Sequence, residues 1–465
     1  MDLRDKQKEQ ILNGRLISIM WKLSLPAIAA MVLFGLNAFM DTVYIGQLMN
    51  ENALAGVALA YPLTSILLGI GSWAGTGAGN LLSIALGKED THTQENLFSN
   101  TMLFMLLVTV IFAFPAYFFA EPLIKMMGGK GEILAYGASY FKITLIGAPF
   151  WVYGLALNFI VRAEGKMKEA AIMMSYGLIV NLILTPAFIY YGGMGVEGAA
   201  WATNIGMMIY CLAGYFYFKR GKASFPAKVD SLQYDKEIFQ KISKLGFPGF
   251  IMTVMGLIQA VVVFNAIVGV GDDADLAFFA AANRIQLFLM TPLFGLMRAL
   301  QPVAGINFGA GQFDRVKQSF LLFSKTGLYL IAPFWFLLTL FPEASLSIVL
   351  PDMVFTPEDL MHFRIYMIVL PFLPVVFMAL TYLPAIEQPK YAIIVGLARQ
   401  LVFYVPVMIF LPKWIGIGGI YYGATGIDVI ITVWLVYIVW RTFTSFSEEE
   451  REPQLSDLVE SSTTN

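Results

Sequence analysis

The chain has 465 residues, of which 58% are hydrophobic, 14% aromatic and only 13% charged, at a formal net charge of −2. Ordinary soluble domains carry roughly 25% charged residues, so the chain lacks the polar surface to cover itself in water, and without a basic face it is not a nucleic-acid binder. A single cysteine, Cys211, excludes an intramolecular disulfide and a cysteine-based metal cluster, and two histidines, His92 and His362, leave little for zinc or general-base chemistry.

A helix that crosses a bilayer needs about 20 mostly apolar residues. In chain order such spans are predicted at 16–40, 53–84, 98–120, 134–160, 169–191, 196–218, 240–270, 277–305, 318–341, 361–385, 391–411 and 419–441. These runs are too long for barrel strands and do not alternate, so helices are expected. The first fifteen residues are too charged for a signal peptide and show no cleavage site. One set of connections carries Arg4, Lys6, Lys8, Arg15, Arg162, Lys166, Lys168, a run from Lys219 to Lys244, then Arg315, Lys317 and Lys325. The opposite set carries Lys125, Lys130 and Lys413, with acids at Asp272, Asp273, Asp275, Glu343, Asp352, Glu358 and Asp359. An excess of Lys and Arg marks the cytoplasmic side, so both termini are expected there.

The chain repeats itself. Leu23-Ser24-Leu25-Pro26 aligns with Leu245-Gly246-Phe247-Pro248, and Ala85-Leu86-Gly87 with Asn307-Phe308-Gly309, each at an offset of 222 residues. Lys168 and Lys390 share that offset, and Gly195-Val196-Glu197-Gly198 aligns with Gly416-Ile417-Gly418-Gly419 at 221. The expected fold is therefore an all-α integral membrane protein, with twelve transmembrane helices in two six-helix bundles related by pseudo-two-fold symmetry. Its expected parts are an N-terminal lobe over 1–218, a cytoplasmic linker over 219–239, a C-terminal lobe over 240–442 and a disordered cytoplasmic tail over 443–465. Parallel repeats of this kind suit transporters, with the substrate path between the halves.

Polar residues within spans mark candidate functional sites. Asp41 lies at the outer end of the first span, four residues after Asn37 and on the same helix face. Asn181 and Thr185 are likewise four apart in the fifth span, and Thr203 lies in the sixth. Together they are expected to line one polar pocket. A carboxylate withdrawn from water favours its protonated form, which makes Asp41 a candidate proton carrier; capping of the helix end is the bland alternative. At 222 residues beyond Asp41 stands Val263, so the second half lacks the acid. Its in-span polar residues include Gln259, Arg284 and Arg298. The two arginines lie fourteen residues apart, on one helix face, suited to an anionic substrate group, a lipid phosphate or an ion pair. Arg399 and Asp428 are expected near span ends. Pro26 lies fifteen residues before Asp41, a candidate hinge. Methionines such as Met31 and Met173 suit varied apolar ligands, or simply fill space. No GxxxxGK[ST] motif is present, which argues against an ATP-driven pump.

The sequence resembles the multidrug and toxic compound extrusion (MATE) transporters, in particular their DinF-like branch. The resemblance rests on Asp41-Thr42-Val43-Tyr44-Ile45-Gly46, ALAGVALAYP at 53–62, Asn158 with Arg162-Ala163-Glu164-Gly165, Asn181 with Pro186-Ala187-Phe188-Ile189, GVEGAAWAT at 195–203, and Pro302 with NFGAG at 307–311. It implies a non-enzymatic antiporter that exports small organic compounds, often cationic and amphipathic, against H⁺ or Na⁺. The coupling pocket it implies holds Asp41, Asn181 and Thr203, with Tyr140 and Asn158 nearby. Two departures stand out. Thr185 replaces an acid common in the family, which leans the coupling ion towards H⁺, and Pro384-Ala385-Ile386-Glu387 stands where the family usually shows Gln-Ala-x-Gly. No cofactor beyond the coupling ion is expected. The protein is expected to act as a monomer among membrane lipids in a bacterial or archaeal plasma membrane. A flippase for lipids or lipid-linked oligosaccharides is the alternative function.

Overall fold

The computed structural model describes residues 5–229, 231–351 and 353–449. Arg4, Asp352 and the tail from 450 onward, all part of the expectations above, lie outside the described residues. The first lobe holds α1 (Asp5–Asn13), α2 (Leu16–Leu48), α3 (Glu51–Lys88), α4 (Thr91–Phe118), α5 (Ala120–Met126), α6 (Gly131–Ile146), α7 (Ala148–Ala163), α8 (Met167–Pro186) and α9 (Gly195–Lys219). The second holds α10 (Lys236–Val270), α11 (Asp273–Gly309), α12 (Phe313–Leu340), α13 (Pro342–Ser347), α14 (Pro357–Met367), α15 (Leu373–Ala385), α16 (Pro389–Leu397), α17 (Val405–Ile415) and α18 (Gly418–Glu449). There is no strand among the described residues.

Among the described residues nine helical segments are long and apolar enough to cross a membrane, counting α8 on to Tyr191 and α16 and α17 as one continuous segment through residues 398–404, and the bent pair α6–α7 adds a tenth if taken as one span. The two remaining expected spans are α9, whose Glu197, Thr203, Asn204 and three tyrosines lower its hydropathy, and 361–385. The latter is not one helix. It breaks into α14 and α15 around residues 368–372, where Pro371 and Pro374 cannot donate to the helix ladder. The expected span 134–160 also breaks, bending by 55° between α6 and α7. Asn204 fills that break: it donates to the Ile143 carbonyl at 2.6 Å and accepts from the Trp151 indole at 3.1 Å. A Cβ on Gly147 would fall 2.1 Å from the Asn204 Oδ1, so the break needs glycine there.

Three acids of the connections, Asp272, Asp275 and Asp359, serve as helix caps. Asp272 and Asp275 form a reciprocal capping box on α11, and Thr356 and Asp359 form another on α14. The central connection, residues 220–235, is held to the first lobe. Glu164 accepts from the Tyr217 hydroxyl at 2.7 Å, the Ser224 amide at 2.5 Å and the Ser224 hydroxyl. Lys228 pairs with Glu95 at 2.6 Å. At the far end, α18 stays helical to Glu449, so residues 443–449 are not the disordered segment expected of them.

Helices α10 and α11 pack on α3 across the middle of the molecule. A Cβ on Gly246 would lie 1.8 Å from the Trp73 carbonyl, and one on Gly87 would lie 2.2 Å from the Ile306 carbonyl. One continuous apolar core runs through both lobes.

Candidate functional site

Five of the residues singled out in the sequence meet in one polar cluster. On α2, the Asn37 amide donates to Asp41 Oδ2 at 3.3 Å. From α8, the Thr185 hydroxyl donates to Asp41 Oδ1 at 3.4 Å. Asn181 donates to the Thr185 and Thr203 hydroxyls at 3.3 and 3.1 Å, and Thr203 passes a bond to the Ala199 carbonyl at 2.9 Å. The i, i+4 spacing on α2 and α8 puts each pair on one face, as the sequence implied. Tyr140 packs beside the cluster, against Ile45, Ile189 and Ala199.

Asn181 occupies a position with two uses. Its side-chain amide atom nearest the acid lies 3.2 Å from Asp41 Oδ1. If that atom is nitrogen, it donates to a carboxylate; if oxygen, it accepts from a carboxylic acid. In the first orientation the amide oxygen also accepts from the Thr203 backbone N–H at 3.3 Å.

Asn37, Asn181 and Thr203 form one wall of a cavity of about 210 Å³ inside the first lobe. Met31, Phe34, Trp151, Leu155, Phe159 and Met174 supply an apolar and aromatic body. Arg298 reaches in from α11, the one second-lobe residue in the lining.

Other expected site residues fall elsewhere. Asn158 is buried and donates to the Ala170 carbonyl at 2.7 Å, tying α7 to α8 away from the Asp41 cluster. Met173 packs on Gly214 in the core, and its neighbour Met174 faces the cavity instead. Gln259 accepts from Arg399 at 2.9 Å in the second lobe and lines no cavity with Asp41. Arg284 is exposed and does not share the cavity with Arg298. Arg399 and Asp428 are not snorkelling ends; they pair at 2.7 Å with the arginine three-quarters buried. Pro26 sits half-buried inside an unbroken α2.

Sequence reasoning missed Arg162. Counted among the cytoplasmic cations, it is instead buried at 3% exposure, with its guanidinium 3.8 Å over the Phe159 ring. Its spacing of four residues from Asn158 was the available signal, since it puts both on one helix face.

A polytopic helical bundle in two repeated halves, with a lone carboxylate beside an internal cavity, has the build of a membrane transporter. Residues 26–187 and 249–410 each match the MatE family, one match per half, and the chain belongs to that family of non-enzymatic membrane transporters. It is 25% identical to the multidrug export protein MepA of Staphylococcus saprophyticus over 66% of this chain and 68% of that protein. Identity to an FAD transporter of Shewanella oneidensis is 25%, over 86% of this chain and 89% of that one. A crystal structure of a MATE in the bent conformation superposes with a TM-score of 0.89 at 21% identity, over 95% of this chain and 98% of that one. The fold is thus the twelve-helix, two-bundle architecture expected from the sequence.

Proposed function

We propose that the protein exports amphipathic organic compounds in exchange for protons, by alternating access between its two lobes. The observation that carries this reading is the Asp41 cluster. It is a carboxylate in a span, contacted by neutral donors and placed against one wall of the cavity. The MepA relative is named as a multidrug export protein and the Shewanella relative as an FAD transporter, which supports an organic cargo. A proton is favoured over Na⁺ because the cluster has a single carboxylate, contacted by neutral donors.

Protonation changes what the cluster can satisfy. Asn37 and Thr185 both donate to Asp41. A proton on Asp41 turns an acceptor into a donor, and Asn181 meets it by presenting its amide oxygen. That swap changes the bonds from α8 and α9 to the outer part of α2. Because the proton then favours one arrangement of α2 over the other, it shifts the balance of states. Pro26, which lacks an N–H, is where α2 bends. The Lys and Arg pattern puts both termini in the cytoplasm of the producing cell, so that protons enter at the Asp41 end as cargo leaves. A lipid or lipid-linked sugar as cargo is favoured by one feature only, the arginine in the cavity.

In proteoliposomes with an imposed ΔpH or Na⁺ gradient and a panel of organic dyes, the wild type is expected to move dye with ΔpH. Asp41→Asn is expected to lose gradient-driven transport while keeping its thermal unfolding midpoint. Normal transport by that variant sinks the proposal.

A further inference from the structure

Arg162 is a cation buried at 3% exposure. All three of its guanidinium nitrogens are buried without a hydrogen-bond partner. A buried, uncompensated charge costs several kcal/mol, and no carboxylate stands against it. The charged or phenolic groups in its surroundings are Arg298 and Tyr210. Arg298, half-buried, makes no hydrogen bond or ion pair among the described residues, and the Tyr210 hydroxyl is buried and unpartnered. Two cations and a phenol therefore converge with no carboxylate and no hydrogen bond between them, the Arg162 guanidinium resting only on the Phe159 ring face.

They converge at a cavity end. Arg162, Arg298, Met174 and the amide of Asn158 line a small void of about 10 Å³, and Arg298, Met174 and Tyr210 line the main cavity of about 210 Å³. Met174 and Arg298 line both, so the two voids adjoin at a flexible methionine. The small void has room for about one water, which cannot satisfy five guanidinium N–H groups.

We infer that this end of the cavity is a binding site for an oxyanion, the phosphate or carboxylate head of an amphipathic ligand whose apolar body lies along Trp151, Leu155 and Phe159. Guanidinium groups present paired donors that match such heads, and an anion between them removes their mutual repulsion. One arginine comes from each lobe, so the head bridges α7 and α11. The inference deepens the transport reading by specifying the cargo, and it is tested by binding at equilibrium, without a gradient, so that its failure is distinct from a failure of proton coupling.

The test uses three ligands with one ring system and three heads: 1-naphthyl phosphate, 1-naphthol and 1-naphthylmethylamine. Each is titrated calorimetrically into the full chain in phosphatidylcholine nanodiscs. The phosphate is expected to bind at least about tenfold tighter than either of the others, equivalent to about 1.4 kcal/mol. That preference is expected to vanish in Arg298→Gln and in Arg162→Met. Replacing an uncompensated buried charge by an apolar side chain is often neutral or stabilising, so Arg162→Met is expected to melt no lower than wild type. Should it fail to fold, Arg298→Gln decides alone. Competition by inorganic phosphate assigns the site to soluble anions, and competition by phosphatidic acid doped into the nanodisc assigns it to a lipid head. A wild type that binds the phosphate no better than the alcohol, or a preference that survives in Arg298→Gln, overturns the inference.

Discussion

Single side chains show how the two repeats have diverged. At the 222-residue offset Asn37 corresponds to Gln259 and Asp41 to Val263. In the first lobe, hydroxyl and amide partners surround a carboxylate with bonds that can reverse. In the second, Gln259 is bound to Arg399, which pairs with Asp428 through its Nε at 2.8 Å. The one cluster can change protonation, and the other is a closed brace. Breaking one partner of a buried pair leaves the other uncompensated, at about 3–5 kcal/mol, whereas removing both charges is far milder. Arg399→Gln is therefore expected to lower the thermal midpoint sharply, and Arg399→Gln with Asp428→Asn to recover most of it; equal losses in both variants are the outcome against a brace. Within the first-lobe cluster the sequence was readable, because i, i+4 spacing on a known helix is a statement about one face. Met173 and Gln259 lie away from the cavity because a helix face says nothing about which neighbour covers it, whereas Asn158 lines the small void beside Arg162. Arg162 was misread because charge at a span end looks like topology until burial is known.

Helix ends keep the record of the repeat in their backbone angles. Gly165 adopts φ 79°, and 222 residues later Glu387 adopts φ 60°; Glu89 at φ 58° corresponds to Gly311 at φ 72°. A left-handed residue ends the helix at each place, and glycine tolerates that conformation where a side chain costs about 1–2 kcal/mol. Glu387 is the family departure seen in the sequence. Its compensation is a half-exposed ion pair with Lys88 at 3.1 Å, a kind of contact worth at most about 1 kcal/mol. Strain outweighs the pair, so Glu387→Gly is expected to stabilise the protein by about 1 kcal/mol, read from thermal unfolding in detergent. A lower midpoint instead means that the pair with Lys88 dominates. The span pattern predicted most helices because their length and apolarity are set locally. It missed the break of 361–385 and the bend at Gly147, because kinks at proline and glycine depend on what fills the gap, as Asn204 does.

At the level of the whole molecule, residues related by the repeat touch each other. A Cβ on Gly87 would lie 2.8 Å from the Cα of Gly309, and one on Gly309 would lie 3.0 Å from the Cα of Gly87. Equivalent positions meet only where a two-fold axis passes between them, so the pseudo-axis runs through this crossing of α3 and α11. The close glycine approaches along α3 to the second lobe run from Gly69 to Gly87, the half of the helix toward Lys88, whereas Gly56 in the other half packs on Gly137 of its own lobe. The lobes are thus clasped at the end away from Asp41, which under the proposed alternating access makes this crossing the inner gate in its shut position. A leucine at Gly87 would push its Cβ to 2.2 Å from a backbone carbonyl that cannot rotate away, and overpacking of this kind costs about 1–3 kcal/mol. That cost falls on the shut gate alone, so the balance of states is expected to move by roughly tenfold or more towards the gate's open form. The sole cysteine, Cys211, can be replaced by serine, leaving Lys88→Cys and Glu387→Cys as a reporter pair across the clasp. With that pair, a short bifunctional maleimide is expected to link the lobes efficiently in the glycine background and several-fold less in Gly87→Leu, with transport reduced in parallel. Undiminished linking in Gly87→Leu would mean that the glycine crossing does not set the gate.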